Sequence, residues 1–267
     1  MSGGLAARSG PVKRLRALLH DPKARRAERA FAVEGPRAVD AALDRGAPLE
    51  VAFFATNAEV AFAALADRLR SAGVPIEYLK EGVLERLGST VTPQPVLAVA
   101  PMPAPPPDVL ASDGLVVVGI ALADPGNVGT LLRSAEASGA AAILLSAGSV
   151  DAYNPKVVRA SAGAIFGVPV VEGWSAVEAL DELGRHNRQR LAADARTGTP
   201  YDAVDFTVPT AIVLGNEAHG LSSDLDGHLD GRVTVPMHAA AESLNVAMAG
   251  VVLCFESARQ RARTGSP

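Results

Sequence analysis

The chain has 267 residues, one cysteine and a net charge of −4 at neutral pH, which excludes a disulfide framework within the chain. Its hydrophobic content of 48% supports large buried cores, and its length suits two domains better than one. No N-terminal signal peptide is evident, and no apolar run reaches the roughly 18 residues of a membrane span. We therefore expect a soluble cytoplasmic protein without a membrane partner.

The charge is unevenly distributed along the chain. Residues 1–37 hold nine Lys and Arg against three acids, whereas the remainder carries a net negative charge. A basic arm on an acidic body predicts contact with a polyanion. The alternative is an amphipathic helix with an ordinary solvated face. The candidate phosphate contacts in this arm are Arg25, Arg26, Arg29 and Arg37.

The first hundred residues alternate short apolar runs with helical patterns. Strands are expected at 49–55, 75–80 and 95–100, and helices from Pro36 and over 58–71 and 82–87. This alternation predicts a small α/β domain. It ends at "PMPAPPPD", where five prolines in eight residues indicate a stiff extended linker. We place a first domain at 1–100, a linker at 101–112 and a second domain at 113–267.

The second domain continues the α/β alternation. Apolar runs at 114–122, 141–146, 167–171, 190–195, 210–215 and 231–237 read as strands, and helical patterns separate most of them. Strands of this kind predict a mainly parallel sheet with both faces covered. The stretch "ADPGNVG", between the first strand and its helix, is predicted to be a turn.

Three loops follow the carboxyl ends of predicted strands, where ligands collect in open α/β sheets. They are "ADPGNVG", "GNEAHG" and "PMHAAAESLN", and their polar residues are Asn127, Glu217, Ser243 and Asn245, with Arg133 on the helix after the first loop. Simpler explanations exist for each residue. Ser243 and Asn245 could cap a helix, Asn127 suits a tight turn, Glu217 could be a surface acid, and Arg133 could pair with Glu136.

Several familiar sites are excluded by spacing. The first loop lacks G-x-G-x-x-G, so a dinucleotide-binding turn is not indicated. The scattered His residues and the single cysteine predict no metal site. No G-x-S-x-G occurs, which disfavours a serine hydrolase, although a hydrolase using His219 and Ser243 stays conceivable.

The stretches "DPGNVGTLLRSAEASGA", "IVLGNEAHGL" and "VPMHAAAESLNVAMAG" resemble, in order and spacing, the three motifs of the SpoU (TrmH-like) branch of the SPOUT methyltransferases. These enzymes methylate RNA ribose 2′-hydroxyls using S-adenosylmethionine. The stretch "RAFAVEGPRAVDAAL" looks like the start of the family's L30e-like RNA-binding domain.

The resemblance implies a catalytic domain with a deep trefoil knot, an S-adenosylmethionine cofactor bound in that knot, and a homodimer. Carried over by motif, the catalytic residues are Asn127, Arg133, Glu217, Ser243 and Asn245. Gly215, Val235, Leu244 and Asn245 contact the cofactor, and Arg133 and Arg159 join the basic arm in binding RNA. An apolar stripe on the final helix, Val251, Val252 and Phe255, suits a dimer contact.

Two questions stay open at this stage. The front domain favours 23S ribosomal RNA as the substrate, with transfer RNA methylation or a non-catalytic RNA-binding protein on the same scaffold as alternatives. The family role of Arg133 is to activate the ribose hydroxyl. Because a guanidinium has no acceptor, we expect it to clamp a phosphate and stabilise the developing alkoxide rather than act as a base.

Overall fold

A computed structural model of the chain describes residues 4–56, 58–87, 93–238 and 243–265. The chain divides into two compact units. The first holds residues up to 103 together with 153–166, and the second holds 104–152 and everything from 167 onward. The sequence boundaries placed 153–166 in the second domain, whereas the structure groups this segment with the first unit.

The elements are numbered in chain order. The helices are α1 (Gly10–His20), α2 (Pro22–Glu28), α3 (Pro36–Asp44), α4 (Ala58–Ala61), α5 (Ala63–Ser71), α6 (Leu84–Leu87), α7 (Pro125–Ser138), α8 (Pro155–Ala160), α9 (Ala176–Arg185) and α10 (Val246–Thr264). The strands are β1 (Ala30–Glu34), β2 (Val51–Ala55), β3 (Ile76–Leu79), β4 (Val96–Pro101), β5 (Val116–Gly119), β6 (Ala142–Leu145), β7 (Val170–Glu172), β8 (Gln189–Ala193), β9 (Thr199–Pro200), β10 (Thr210–Leu214) and β11 (Gly231–Thr234).

The first unit is built on a four-stranded sheet in the order β1-β4-β2-β3. Only the pair β2 and β3 is parallel. The basic arm is ordered on this sheet, because α1 buries the apolar face formed by Val12, Leu15, Leu18 and Leu19. The helix predicted over 58–71 is interrupted at Phe62, whose backbone leaves the helical region and separates α4 from α5.

Aromatic packing explains why residues 153–166 belong to the first unit. The ring of Phe31, on β1, lies 4.9 Å from the ring of Tyr153 and 5.7 Å from that of Phe166. Helix α8 lies between these two residues and packs against β1. Large aromatic rings bury much apolar area, so this cluster attaches the segment to the first sheet.

The second unit contains a seven-stranded sheet in the order β7-β6-β5-β10-β8-β11-β9. Every paired neighbour is parallel, as the continuous apolar runs predicted. Successive residues of β5, β6 and β10 are all buried, so both faces of the sheet are covered. The short strand β9 was not predicted, since it has only two residues.

Helices α7 and α10 pack against each other and against the central strands. A Cβ on Gly250 would lie 2.3 Å from Cδ2 of Leu131 and 3.0 Å from Cδ1 of Leu214. The two helices therefore approach more closely than a larger residue would allow. This packing sets the start of α10 relative to the start of α7.

The predicted turn at "ADPGNVG" is wrong, because α7 already begins at Pro125. Proline is favoured at the first position of a helix, where its missing N–H costs nothing. Asp124 caps the helix, and its Oδ1 accepts a hydrogen bond from the N–H of Asn127 at 2.8 Å. Asn127 therefore lies in the first turn of a helix.

The strand order brings two of the three predicted loops together. Although β5 and β10 are far apart in the chain, they are adjacent and parallel, and Gly119 pairs with Leu214 at their carboxyl ends. The order in which strands are added to the sheet reverses between β5 and β10. Ligands bind at such a switch point in open α/β folds. None of the helices in the described ranges is both long and apolar enough to cross a bilayer.

Candidate active site

Glu217 joins the loop after β10 to the start of α7. Its carboxylate accepts hydrogen bonds from the backbone N–H groups of Ala123, at 3.1 Å, and Asp124, at 3.0 Å. A third bond comes from Nδ2 of Asn127, also at 3.0 Å. All three partners sit at or just before the N-terminus of α7, where a negative charge is favoured.

Asn245 connects the third loop to the same group. Its Nδ2 donates to Oδ1 of Asn127 at 3.0 Å, while its Oδ1 accepts from the N–H groups of Ala247, at 2.9 Å, and Met248, at 3.3 Å. Asn245 is thus the N-cap of α10 and also a member of the site. The three side chains Glu217, Asn127 and Asn245, in that order, form what we call the amide–carboxylate chain.

The carboxylate in this chain stays ionised at neutral pH. Burial acts to raise the pKa of Glu217, but the hydrogen bonds from Asn127, Ala123 and Asp124 outweigh it and the pKa is lowered. With three donors already bound, this group organises the site and is poorly suited to act as a base. Within the described ranges, no three His, Cys, Asp or Glu side chains gather as a metal site would require.

A cavity of about 630 Å³ opens beside the amide–carboxylate chain. This volume falls in the range of roughly 300–1,000 Å³ that is typical of small-molecule sites. Its lining includes every residue assigned to the cofactor by motif, namely Gly215, Val235, Leu244 and Asn245, together with Glu217 and Ser243. Apolar side chains such as Leu214 and Leu253 complete the wall.

Gly215 has no room for a side chain because its own loop packs against it. A Cβ at this position would lie 2.4 Å from the carbonyl carbon of Gly220. The loop closes on itself there, with Asn216 N donating to Gly220 O at 3.0 Å and Gly220 N donating back at 2.8 Å. The side chain of Asn216 also donates to Ala121 O at 2.8 Å, a tie that the sequence did not reveal.

The loop after β8 forms another part of the cavity wall, through Asp194, Ala195 and Arg196. Sequence analysis missed this loop, although it also follows the carboxyl end of a parallel strand. Asp194 pairs with Arg232, another lining residue, at 2.9 Å. His219 lines the cavity as well.

Arg133 and Ser243 are not part of the amide–carboxylate chain. Arg133 lies on α7 six residues beyond Asn127, about 9 Å along the helix axis and on a different face. Its guanidinium is exposed and makes no hydrogen bond or ion pair within the described part of the chain, so the pairing with Glu136 considered above is not seen. Ser243 is exposed at the cavity and does not cap α10.

The cations of the basic arm are buried, engaged at the surface or free, and Arg14, paired with Glu28 and Glu50, is an engaged one. Arg25 is only 2% exposed and donates to Leu18 O at 2.8 Å, so the prediction that it contacts phosphate is wrong. Arg159 donates to the buried carboxylate of Glu34 at 3.0 Å. Exposed and without a partner among the described residues are Arg8, Lys13, Lys23, Arg26, Arg29 and Arg37, which we call the free basic set.

The pH dependence of the unfolding free energy of a Glu217→Gln variant should show that Glu217 is charged in the folded protein. The pKa of Glu217 is lowered below its usual 4.5, so the stability that it contributes is fully present above that pH and is lost as pH falls through the lowered value. We expect the difference in unfolding free energy between wild type and Glu217→Gln to be constant near neutrality and to shrink in acid. Urea unfolding followed by circular dichroism at several pH values measures it.

Glu85→Gln is the matched control, because Glu85 is an exposed acid with no partner among the described residues. Its difference from wild type should stay near zero throughout the same pH series. A Glu217→Gln difference that is unchanged in acid would contradict an ionised role for this side chain.

Comparison with known proteins agrees with this architecture. Residues 114–255 match the SpoU rRNA methylase family, and residues 10–98 match the MRM3-like substrate binding domain. The 23S rRNA (uridine(2479)-2′-O)-methyltransferase of Streptomyces viridochromogenes is 32% identical, over 96% of this chain and 92% of its own. The 23S rRNA (guanosine(2553)-2′-O)-methyltransferase RlmP of Bacillus subtilis is 34% identical, over 68% of this chain and 72% of its own.

Solved structures give the same result. The SpoU methyltransferase AviRb from Streptomyces viridochromogenes, in complex with the cofactor AdoMet, superposes with a TM-score of 0.82 and 29% identity. The match covers 96% of this chain and 100% of that chain. With one family matching more than half of the residues and relatives matching nearly all of them, the chain belongs to the SpoU family of S-adenosylmethionine-dependent RNA methyltransferases.

Proposed function

We propose that this protein transfers a methyl group from S-adenosylmethionine to a ribose 2′-hydroxyl of 23S ribosomal RNA. The observation that carries the proposal is the amide–carboxylate chain of Glu217, Asn127 and Asn245, placed beside a cavity of cofactor size. Two relatives that cover two thirds or more of the chain are named as 23S rRNA 2′-O-methyltransferases, which favours ribosomal over transfer RNA.

The cavity fits the cofactor in chemistry as well as in size. Leu214, Val235, Leu244 and Leu253 offer an apolar surface for a purine, and the cavity also has polar and charged lining residues for the remainder of the ligand. When bound, S-adenosylmethionine supplies a methyl group already activated on a sulfonium, so the chain itself needs no metal for this step. The residues of the chain have to hold the acceptor in line with that methyl group, and such positioning supplies much of the rate.

Ser243 and Arg133 are the groups assigned to the acceptor. The hydroxyl of Ser243 lies at the cavity edge and makes no hydrogen bond within the described ranges, so its Oγ can accept a hydrogen bond from the ribose 2′-hydroxyl and orient it. The Arg133 guanidinium, which has no partner among the described residues, holds an RNA phosphate and stabilises the oxygen as its proton passes to water. Glu217 and Asn127 are positioning residues that fix the helix starts on which these groups depend.

The free basic set supplies phosphate contacts for the RNA substrate. Its members are exposed and carry charges not neutralised within the described chain, and charges of this kind release counterions when they meet phosphates. The assignment of residues 10–98 to a substrate-binding domain supports the same role. Arg25 is left out of this surface because its guanidinium is buried, and Arg159, although exposed, is left out because it is paired with Glu34.

The active unit is a homodimer formed through α10. On this helix Met248 is 61% exposed and Phe255 is 49% exposed, and both lie on one stripe with Val252. Large exposed apolar side chains in a continuous stripe are typical of a self-association surface.

We further propose that the second unit contains a trefoil knot and that the protein acts in the cytoplasm. The knot is supported by the strand order, in which β10 inserts between β5 and β8 although both precede it in the chain. The cytoplasm is the expected location because the proposed substrate is ribosomal RNA. Residues 239–242, which form part of the third predicted loop, lie outside the described residues.

The proposed reaction can be tested with labelled S-adenosylmethionine. The purified protein should label unmodified 23S ribosomal RNA but not transfer RNA, and the label should sit on a nucleotide that resists alkaline cleavage because its 2′-hydroxyl is blocked. Arg133→Ala should lower transfer by about 10²–10³-fold, as removal of a charge-stabilising donor does. Its affinity for S-adenosylmethionine, measured by calorimetry, should stay within a few-fold of wild type.

Arg185→Ala is the control for that experiment, since Arg185 is exposed and pairs only with the neighbouring Glu182. It should methylate RNA at the wild-type rate. Near-normal turnover by Arg133→Ala would refute the role of this residue. Label in transfer RNA alone would identify transfer RNA as the substrate. RNA binding that needs no cofactor, without any methyl transfer, would favour a non-catalytic protein.

A second prediction concerns the free basic set. Each phosphate neutralised contributes about −0.7 to −0.9 to the slope of log affinity against log salt. Replacing Arg26, Arg29 and Arg37 together with Gln should flatten that slope by roughly two units. Filter binding of 23S ribosomal RNA over a salt series gives the slope.

The matched control removes the same formal charge from arginines that are exposed but ion-paired, Arg68, Arg70 and Arg185. That variant should keep the wild-type slope to within half a unit or so, since its arginines are already neutralised. Equal slopes for wild type and the Arg26, Arg29 and Arg37 variant would show that this surface does not bind phosphate.

A third prediction concerns the dimer. Phe255→Asp should yield monomers at micromolar concentration, because the interface would bury an unpaired charge, and methylation should fall with it. Light scattering and circular dichroism report the mass and the fold. Val60→Asp is the control, since Val60 is 87% exposed and lies in the first unit. A wild-type protein that is fully active as a monomer would contradict the proposal.

A further inference from the structure

The loop after β8 brings charge to the cavity, and the roles assigned so far leave this charge unexplained. The Asp, Glu, Lys and Arg side chains in the cavity lining are Asp194, Arg196, Glu217 and Arg232. Arg232 pairs with Asp194 at 2.9 Å and also with Asp226 at 2.5 Å, so both lining groups of this pair are already engaged. Arg196 is exposed to the cavity and makes no side-chain hydrogen bond or ion pair within the described ranges.

The backbone that carries Arg196 is firmly held. Oδ1 of Asp194 accepts from the N–H groups of Arg196, at 2.8 Å, and Thr197, at 2.9 Å, and Asp194 N donates to Val233 O at 2.9 Å. Burial acts to raise the pKa of Asp194, but these two N–H groups and the charge of Arg232 lower it, so the carboxylate that holds the loop is ionised.

Gly198 closes the other end of this loop. A Cβ there would lie 2.7 Å from the carbonyl group of Arg232, so the backbone packs directly on β11, and β9 then pairs with the same strand. A free guanidinium on a fixed backbone loses little conformational entropy beyond its own rotamers when it binds a ligand. The arrangement is that of a prepared anion contact.

The cavity lining carries a negative charge on Glu217 and a positive charge on Arg196. Such a lining suits a ligand that has a positive group and an anionic group at separate positions. Among the described residues Glu217 accepts hydrogen bonds from neutral N–H groups, and neither Glu217 nor Arg196 forms an ion pair there. S-adenosylmethionine carries a positive sulfonium and, at the end of its aminoacyl chain, an α-ammonium and a single anionic group, the α-carboxylate. Guanidinium groups bind carboxylates in a bidentate geometry.

We propose that Arg196 binds the α-carboxylate of S-adenosylmethionine, which directs the sulfonium toward Glu217 and the amide–carboxylate chain. This inference rests on the proposed function, since it assigns a group of the same cofactor. It makes Arg196 a binding residue that selects ligands by their aminoacyl end and leaves the adenosine moiety to the apolar wall.

Decarboxylated S-adenosylmethionine tests the inference, because it keeps the sulfonium, the amine and the adenosine and lacks only the carboxylate. Calorimetry, with competition for weak ligands, should compare both ligands on wild type, Arg196→Ala, Arg196→Lys and the exposed surface control Arg263→Ala. Arg196→Ala should weaken S-adenosylmethionine about tenfold or more and leave the decarboxylated ligand within twofold. Arg196→Lys should fall between, and Arg263→Ala should match wild type.

Each other outcome overturns the inference. Equal weakening of both ligands would mean that Arg196 supports the loop or the adenosine. Unchanged affinity for both, with weaker RNA binding, would assign Arg196 to an RNA phosphate, and unchanged RNA binding as well would leave it without a ligand. A wild-type protein that binds neither ligand would overturn the proposed function itself, whereas wild-type binding without the ligand-specific loss overturns the inference alone.

Discussion

Glu217 connects two loops that are more than ninety residues apart in the chain, and it does so through hydrogen bonds from the start of α7. Asn127 passes this connection on to Asn245, which caps α10. The ends of two parallel strands and the starts of two helices are thereby held in one arrangement. Because each group is a hydrogen-bond partner of the next, loss of any one leaves a neighbouring polar group without that partner.

The same connection explains why function and stability are hard to separate at this site. A capping asparagine contributes about 1 kcal/mol to a helix by itself, so Asn245 would be useful without any chemistry. The structure gives it both roles at once: Oδ1 holds the helix and Nδ2 holds the site. Capping by Asn245 is therefore compatible with its contact to Asn127.

Much of the second unit could be predicted from sequence, because parallel strands buried on both faces are unbroken apolar runs and their carboxyl ends are easy to locate. The start of α7 was misread as a turn, since Asp, Pro, Gly and Asn favour turns and helix starts alike. The loop after β8 was overlooked because Asp194 and Arg196 resemble an ordinary polar loop until the pairing of β8 with β11 brings Arg232 beside them. Local sequence patterns do not reveal which strands pair when they are far apart in the chain.

Charge counts had a similar limit in the basic arm. They identified a cationic segment, but could not distinguish Arg25, whose guanidinium is buried, from Arg26, which is exposed. Helix periodicity places the two side chains on different faces of α2, and α2 packs against α1 and β1 on one of these faces. Adjacent arginines in one helix can therefore serve the interior and the solvent separately.

The segment 153–166 interrupts the sequence of the second unit but packs with the first. Tyr153 and Phe166 cover the ring of Phe31, so a cut at the proline-rich linker would expose that ring and strip both partners of their contact. The front domain is consequently not a module that recombination can exchange at a single crossover. A functional chimera with another front domain has to take this inserted segment along with it, and the two parts of the gene have to vary together.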